Sequence, residues 1–216
     1  MGSRYRLIHP EICCGKHAGN AMPCISPSTS SGNRHTAPFP NVKASRSASG
    51  HKVYPYWLRN MAITKPDQIS ASDITYIPLQ HGSLHLTAIL ELYSRNVLSW
   101  PLSNKLTGDF YLEALDAALA RARRQIFNTD QGAQFTATAF TSKLQKRVVA
   151  ISMDGRGRAV DHVFVKRLWR TVKCEEVYLR DHANGWQAKK SLGRYFNFYR
   201  KERPPQALGY GTPSEV

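Results

Sequence analysis

A mixed α/β domain, with a five-strand sheet covered by helices on both faces, is the fold class that this sequence predicts. Three apolar stretches follow one another between residues 68 and 102, joined by connections short enough to require antiparallel neighbours. Beyond them helical and strand periods alternate, which calls for β-α-β crossovers. Of the 216 residues, 42% are hydrophobic and 10% aromatic, enough to build a core on each side of a sheet.

The elements are read in order. Gln68 to Pro78 alternates as a strand, Leu84 to Leu92 is a continuous apolar strand, and Val97 to Leu102 is a short third. His81-Gly82-Ser83 and Ser94-Arg95-Asn96 are the turns between them. Thr107 is the expected cap of a helix over Gly108 to Arg124, where Leu112, Leu115, Leu119 and Ala122 recur at helical spacing. Gln125 to Thr129 reads as a fourth strand, Thr136 opens a short helix through Phe140 and Leu144, and Val148 to Ser152 is the fifth strand. A Gly-Arg-rich loop from Asp154 to Arg158 leads into a helix over about Val160 to Leu179, and a last helix covers roughly Trp186 to Tyr199.

The first 50 residues differ in kind. Ser, Pro and Gly dominate them, no period is sustained, and six basic residues face the single acid Glu11, so a disordered basic tail is expected. Both a loose nucleic-acid-binding tail and a featureless one fit that composition. Residues 51–66 are expected to be a linker, 67–182 the core domain, and 183–216 its C-terminal helix and tail.

Thirty Lys and Arg against fifteen Asp and Glu give a formal charge of +15, which points to a polyanionic partner. No apolar run is long enough to span a bilayer, and Met1 to Pro10 lacks the apolar stretch of a signal peptide, so a cytoplasmic protein without a membrane partner is expected. Cys13, Cys14, Cys24 and Cys174 have no metal-ligand spacing and are expected as free thiols; His81, His85, His162 and His182 likewise carry no ligand pattern.

Two carboxylates suggest chemistry. Asp73 lies in mid-strand, with Ile74 and Tyr76 directed differently, and by itself fits a solvated face as well as a ligand. Asp130 ends the fourth strand, where sites of open α/β sheets lie, and it also fits an Asx-turn with Gly132. If the two strands are neighbours the acids meet, and acids that close repel unless a cation separates them. Mg²⁺, or Mn²⁺, is the natural choice, because it takes carboxylates together with water and phosphate oxygens and serves phosphoryl displacement. A third carboxylate is then expected on the helix after the fifth strand.

Five strings carry a resemblance: Ala71-Ser72-Asp73-Ile74-Thr75-Tyr76-Ile77, Tyr93-Ser94-Arg95-Asn96-Val97, Asn128-Thr129-Asp130-Gln131-Gly132, Phe164-Val165-Lys166-Arg167-Leu168-Trp169 and the run from Arg203 to Pro213. In their order they resemble the second-frame product of bacterial insertion-sequence transposases, members of the retroviral-integrase-like DDE recombinases. The resemblance covers about residues 51–216. It implies a ribonuclease-H-like fold, Mg²⁺-dependent DNA cleavage and strand transfer with Asp73 and Asp130 as catalytic and metal-binding residues, and a homo-multimer assembled on DNA, at the element ends and the target.

The sequence departs from that family at the third acid. Where the family places a catalytic Glu, with 35 residues after the second Asp, this chain has Lys166. On a helical wheel Lys166, Arg170 and Lys173 fall within about 60° of one another, so that face is wholly basic. Lys166 can pair with Asp73 or Asp130 and oppose a metal. Of the remaining acids, Glu175 and Glu176 lie more than two turns away, and Asp161 is the least poor substitute. Glu91 stands where the family usually has Asp and Pro205 where it usually has His. Residues 1–50 match nothing in the family and are expected to be read from a shifted frame. Arg156, Arg158, Arg167, Arg170, Lys173, Lys189 and Lys190 are the expected phosphate contacts. The functional expectation is a transposase- or integrase-like protein of DNA transposition, catalytically impaired at Lys166. The alternative is a catalytically dead DNA-binding remnant that competes for DNA or poisons multimers.

Overall fold

A computed structural model describes residues 52–121, 124–154 and 163–216. Arg156, Arg158, Asp161, His162 and the expected tail lie outside the described residues, as do Cys13, Cys14 and Cys24.

Among the described residues, β1 (Ile69–Pro78), β2 (Ser83–Glu91), β3 (Val97–Ser99), β4 (Leu102–Ser103), β5 (Ile126–Thr129) and β6 (Ala150–Met153) form one mixed sheet in the order β3-β2-β1-β5-β6, with β4 also paired to β2. β1 and β2 are antiparallel, joined by a turn at Gly82, whose φ of +85° suits glycine. β3 and β4 both pair with β2. The single third strand expected from the sequence is therefore two pieces, broken at Trp100-Pro101. Proline has no N–H to give a ladder. Its carbonyl still accepts from the Thr87 N–H at 3.2 Å, so β2 keeps its partner across the break.

β5 adds parallel to β1, and β6 adds parallel to β5. The crossover to β5 is α1 (Gly108–Leu119), which buries Phe110, Tyr111, Ala114, Leu115, Ala118 and Leu119. Thr107 takes the N-cap position without a side-chain capping bond. The helix stops at Leu119, short of the expected Arg124. Arg124 is instead a buried cation that pairs with Asp67, just before β1, and a guanidinium drawn inward to that partner cannot continue an outward-facing helix. The next crossover is a single turn, α2 (Ala133–Thr136), a break at Ala137, and then α3 (Thr138–Lys146), so Thr136 closes one helix rather than opening the next.

After β6, α4 (Val163–Val172) continues through a π-helical turn at Lys173–Val177, and α5 (Gly185–Lys201) closes the domain, capped by Asn184 accepting from the Gln187 N–H at 3.0 Å. The sheet separates two cores. Ile69, Ala71, Ile77, Leu86 and Leu90 meet α4 and α5 on one face, whereas Ile89, Phe127, Ile151 and Met153 meet α1 and α3 on the other. Strand alternation sends neighbouring residues to opposite cores.

Candidate active site

Asp73 and Asp130 are placed by register. The parallel pairs of β1 and β5 run Ile69 with Ile126, Ser70 with Phe127 and Ala71 with Asn128. Two residues further along each chain stand Asp73 and Asp130, at the same level of adjacent strands. Asp73 shares the parity of Ile69, Ala71 and Ile77, and so the face covered by α4 and α5. Both aspartates are half-buried.

Each carboxylate is oriented. Asp73 accepts from the Ile74 N–H at 2.8 Å through Oδ1 and from the Trp169 indole N–H at 3.1 Å through Oδ2. Trp169, on α4, is buried, so a core aromatic also sets the acid's direction. Asp130 folds back to accept from the Gly132 N–H at 2.9 Å. A Cβ on Gly132 would lie 2.5 Å from Gln134 Nε2 and 2.9 Å from that same Oδ1, so a side chain there would have to displace the Gln134 amide and crowd Asp130. Behind Asp130 lies Tyr111 on α1, a buried phenol whose OH has no hydrogen-bond partner; burial, then the nearby Tyr76 and Asp130, push it up to about 12.

One acid at this end of the sheet was not singled out from the sequence. Asp154, the residue after β6, is buried; its Oδ1 accepts from Asn128 Nδ2 at 2.9 Å and its carbonyl from Gln131 Nε2 at 2.8 Å. It ties the ends of β5 and β6 together. A carboxylate ending a parallel strand was the available signal.

The helical side of the site is cationic. Lys166 precedes Trp169 by one turn and Lys173 follows it by one turn, with Arg170 between them. Lys166, Arg167 and Arg170 are exposed, while Lys173 is half-buried. Burial lowers the Lys173 ammonium below its ordinary value, and the charge of Asp73 acts the other way. Lys189 and Lys190 are exposed on α5, apart from this helix. Among the described residues no group of three or more His, Cys, Asp or Glu is arranged to hold a metal ion. Asp73 and Asp130 are carboxylates of the kind that Mg²⁺ takes together with water and phosphate oxygens, but the Lys173 ammonium already acts on Asp73 and sets the local charge against a tightly bound divalent ion.

Two of the family-like strings support this arrangement. Glu91 is buried and accepts from the N–H groups of Tyr93 at 2.9 Å and Ser94 at 2.6 Å, and from the Ser94 hydroxyl. The turn it fixes sets Arg95 over Phe164 of α4, 3.7 Å from the ring centroid. Arg203 grips Glu175, in the π-helical turn after α4, through Nε and Nη2, and Tyr195 donates to the same carboxylate at 2.8 Å.

Known proteins share this fold and part of this sequence. Residues 63–159 match the sequence profile of the integrase core domain. The transposase for insertion sequence element IS904 of Lactococcus lactis is 25% identical over 156 residues, covering 70% of this chain and 62% of the relative. Transposase InsF of IS3A from Escherichia coli K12 is 31% identical over 116 residues, covering 52% and 40%. The chain thus spans about half the length of the curated relatives it matches. Among solved structures, the HTLV-2 integrase catalytic core domain in complex with magnesium superposes with a TM-score of 0.57 at 18% identity, covering 70% of this chain and 96% of that one. A simian T-cell lymphotropic virus intasome matches at 0.63 and 15%, covering 79% and 60%; at these identities the likeness is one of fold. Residues 63–159 are thus similar to the integrase core domain, and the chain is similar to insertion-sequence transposases over part of their length.

Proposed function

We propose that this chain is an integrase-like protein of DNA transposition that binds DNA and has lost efficient strand cleavage and joining, because Lys166 occupies the position of the third acid. The observation that carries this reading is the charge of the helical side of the site, where Lys166 and Lys173 lie one turn either side of Trp169, whose indole N–H holds Asp73, and Arg170 follows it. A unit charge about 4 Å from another at an effective dielectric of 20 interacts by about 4 kcal/mol. With glutamate that energy would favour a divalent ion, and with lysine it opposes one.

The remaining roles follow from position. Asp73 and Asp130 stay oriented toward a phosphodiester site, but protein cations of the α4 side compete there with Mg²⁺ or Mn²⁺. Arg167, Arg170, Lys173, Lys189 and Lys190, with Arg156 and Arg158, neutralise backbone phosphates, giving salt-sensitive binding with little sequence preference. A protein that occupies DNA without cutting it competes with intact relatives for element ends and target, and a subunit of this kind in a multimer disables it.

A Mg²⁺- and Mn²⁺-dependent cleavage and joining assay on labelled DNA carrying the element ends tests this reading, with Lys166→Glu beside the unaltered chain. Activity in Lys166→Glu alone is expected. Activity in the unaltered chain would contradict the reading, and silence from both would place the lesion away from Lys166.

A further inference from the structure

The outer face of α5 is a second cationic surface, and unlike α4 it carries an open aromatic ring. α5 buries Ala188, Ser191, Leu192, Tyr195, Phe196 and Tyr199 toward the sheet. Its other side presents Trp186, Lys189, Lys190, Arg194 and Lys201, all exposed, and its 17 residues include no Asp or Glu. Trp186 is 69% exposed, although tryptophan has the largest apolar surface available for burial. One turn on, Lys190 Nζ lies 5.0 Å from its ring centroid. Trp186, Lys190 and Arg194 follow at intervals of four residues, about 6 Å apart along the axis. Beside Lys189 an open groove runs between the β1–β2 turn, at His81 and Ser83, and the end of β4, at Ser103 and Asn104.

An accessible ring within a row of cations is the arrangement that takes an unpaired nucleotide. Every base has a π-face, so stacking is tolerant of sequence, while the cations follow the phosphates. Bases inside a duplex already stack on one another and offer the ring nothing. A second copy of this face is a poor occupant, since each copy would bring the same acid-free row of cations against the other.

We propose that the outer face of α5 binds single-stranded DNA, with Trp186 stacking on an unpaired base, Lys190 and Arg194 neutralising its phosphates, and Lys189 guiding the strand toward the neighbouring groove. The inference rests on the DNA-binding reading above and extends it from phosphate contact to recognition of unpaired strands.

The test is the affinity of the full chain for oligo-dT and for a blunt duplex of equal length, with Trp186→Ala and Trp186→Phe. Trp186→Ala is expected to weaken oligo-dT binding roughly tenfold while duplex affinity stays within about twofold, and Trp186→Phe to retain most of it. Tryptophan fluorescence should fall when oligo-dT binds the unaltered chain and respond much less in Trp186→Phe. Equal losses for both DNAs, no loss for either, or duplex binding without oligo-dT binding would overturn the inference. Failure to bind either DNA would overturn the DNA-binding reading with it.

Discussion

The strand pair β1–β5 and the helix α4 meet at one site but hold their functional groups in different ways. Asp73 and Asp130 stand on a backbone register that starts from Ile69 and Ile126 and carries a core residue, Phe127, on its other face. Lys166 projects from the exposed side of α4. An acid set by sheet register cannot move without moving the sheet. A residue on an exposed helix face can reverse its charge while the fold stays as it was, and the electrostatics of the site reverse with it.

Breaking the strand side should cost most. Phe127 is fully buried in β5, so Phe127→Ala is expected to lower unfolding free energy by about 3–5 kcal/mol in denaturant titration. Next comes the ion pair that clips the starts of the two strands. Arg124 is buried and pairs with the more exposed Asp67, beside the Ile126 N–H bond to the Gln68 carbonyl at 3.1 Å. Removing the carboxylate strands a guanidinium whose burial already disfavours its charge, so Asp67→Ala should cost about 2–3 kcal/mol. Replacing Arg124 by Met in the same variant should recover part of that loss.

The phenols that pack against the site give a smaller, pH-dependent effect. Burial raises Tyr195, with Glu175 adding to the shift, and raises Tyr111 to about 12. An unfolded tyrosine ionises near pH 10. A raised folded value means that the stability these groups contribute is complete below pH 10 and declines as pH rises toward 12. Melting temperature should fall across that window in the unaltered chain and fall less in Tyr111→Phe. Smallest of all is the stability effect of Lys166→Glu, expected within about 0.5 kcal/mol because the side chain is exposed. A larger change would mean that α4 is as tightly bound to its sequence as the strands are, removing the contrast between them.

Much of this was legible in the sequence. The β-α-β pattern made a β1–β5 pairing one of few alternatives and left the meeting of Asp73 and Asp130 conditional on it; the structure supplies that pairing. Pro101 was visible as a strand breaker, yet the apolar run through it read as continuous. Arg124 was hidden, since a helical run of alanine and arginine gives no sign that one arginine must turn inward to Asp67. Trp169 was hidden for a related reason: tryptophan at helical spacing reads as core, and only the fold reveals that its N–H meets Asp73. Asp154 lay in a loop by composition and became a buried link between strands only once β6 was placed.

On the reading proposed above, the charge at position 166 of α4 decides whether Asp73 and Asp130 can hold a divalent ion. Calorimetric titration of Mn²⁺ into the unaltered chain and into Lys166→Glu, with thermal melts of both, measures this without requiring DNA. Binding at least about tenfold tighter is expected in Lys166→Glu, given a charge reversal worth several kcal/mol, with closely similar melting temperatures for the metal-free proteins. Equally tight binding of Mn²⁺ by the unaltered chain would contradict it.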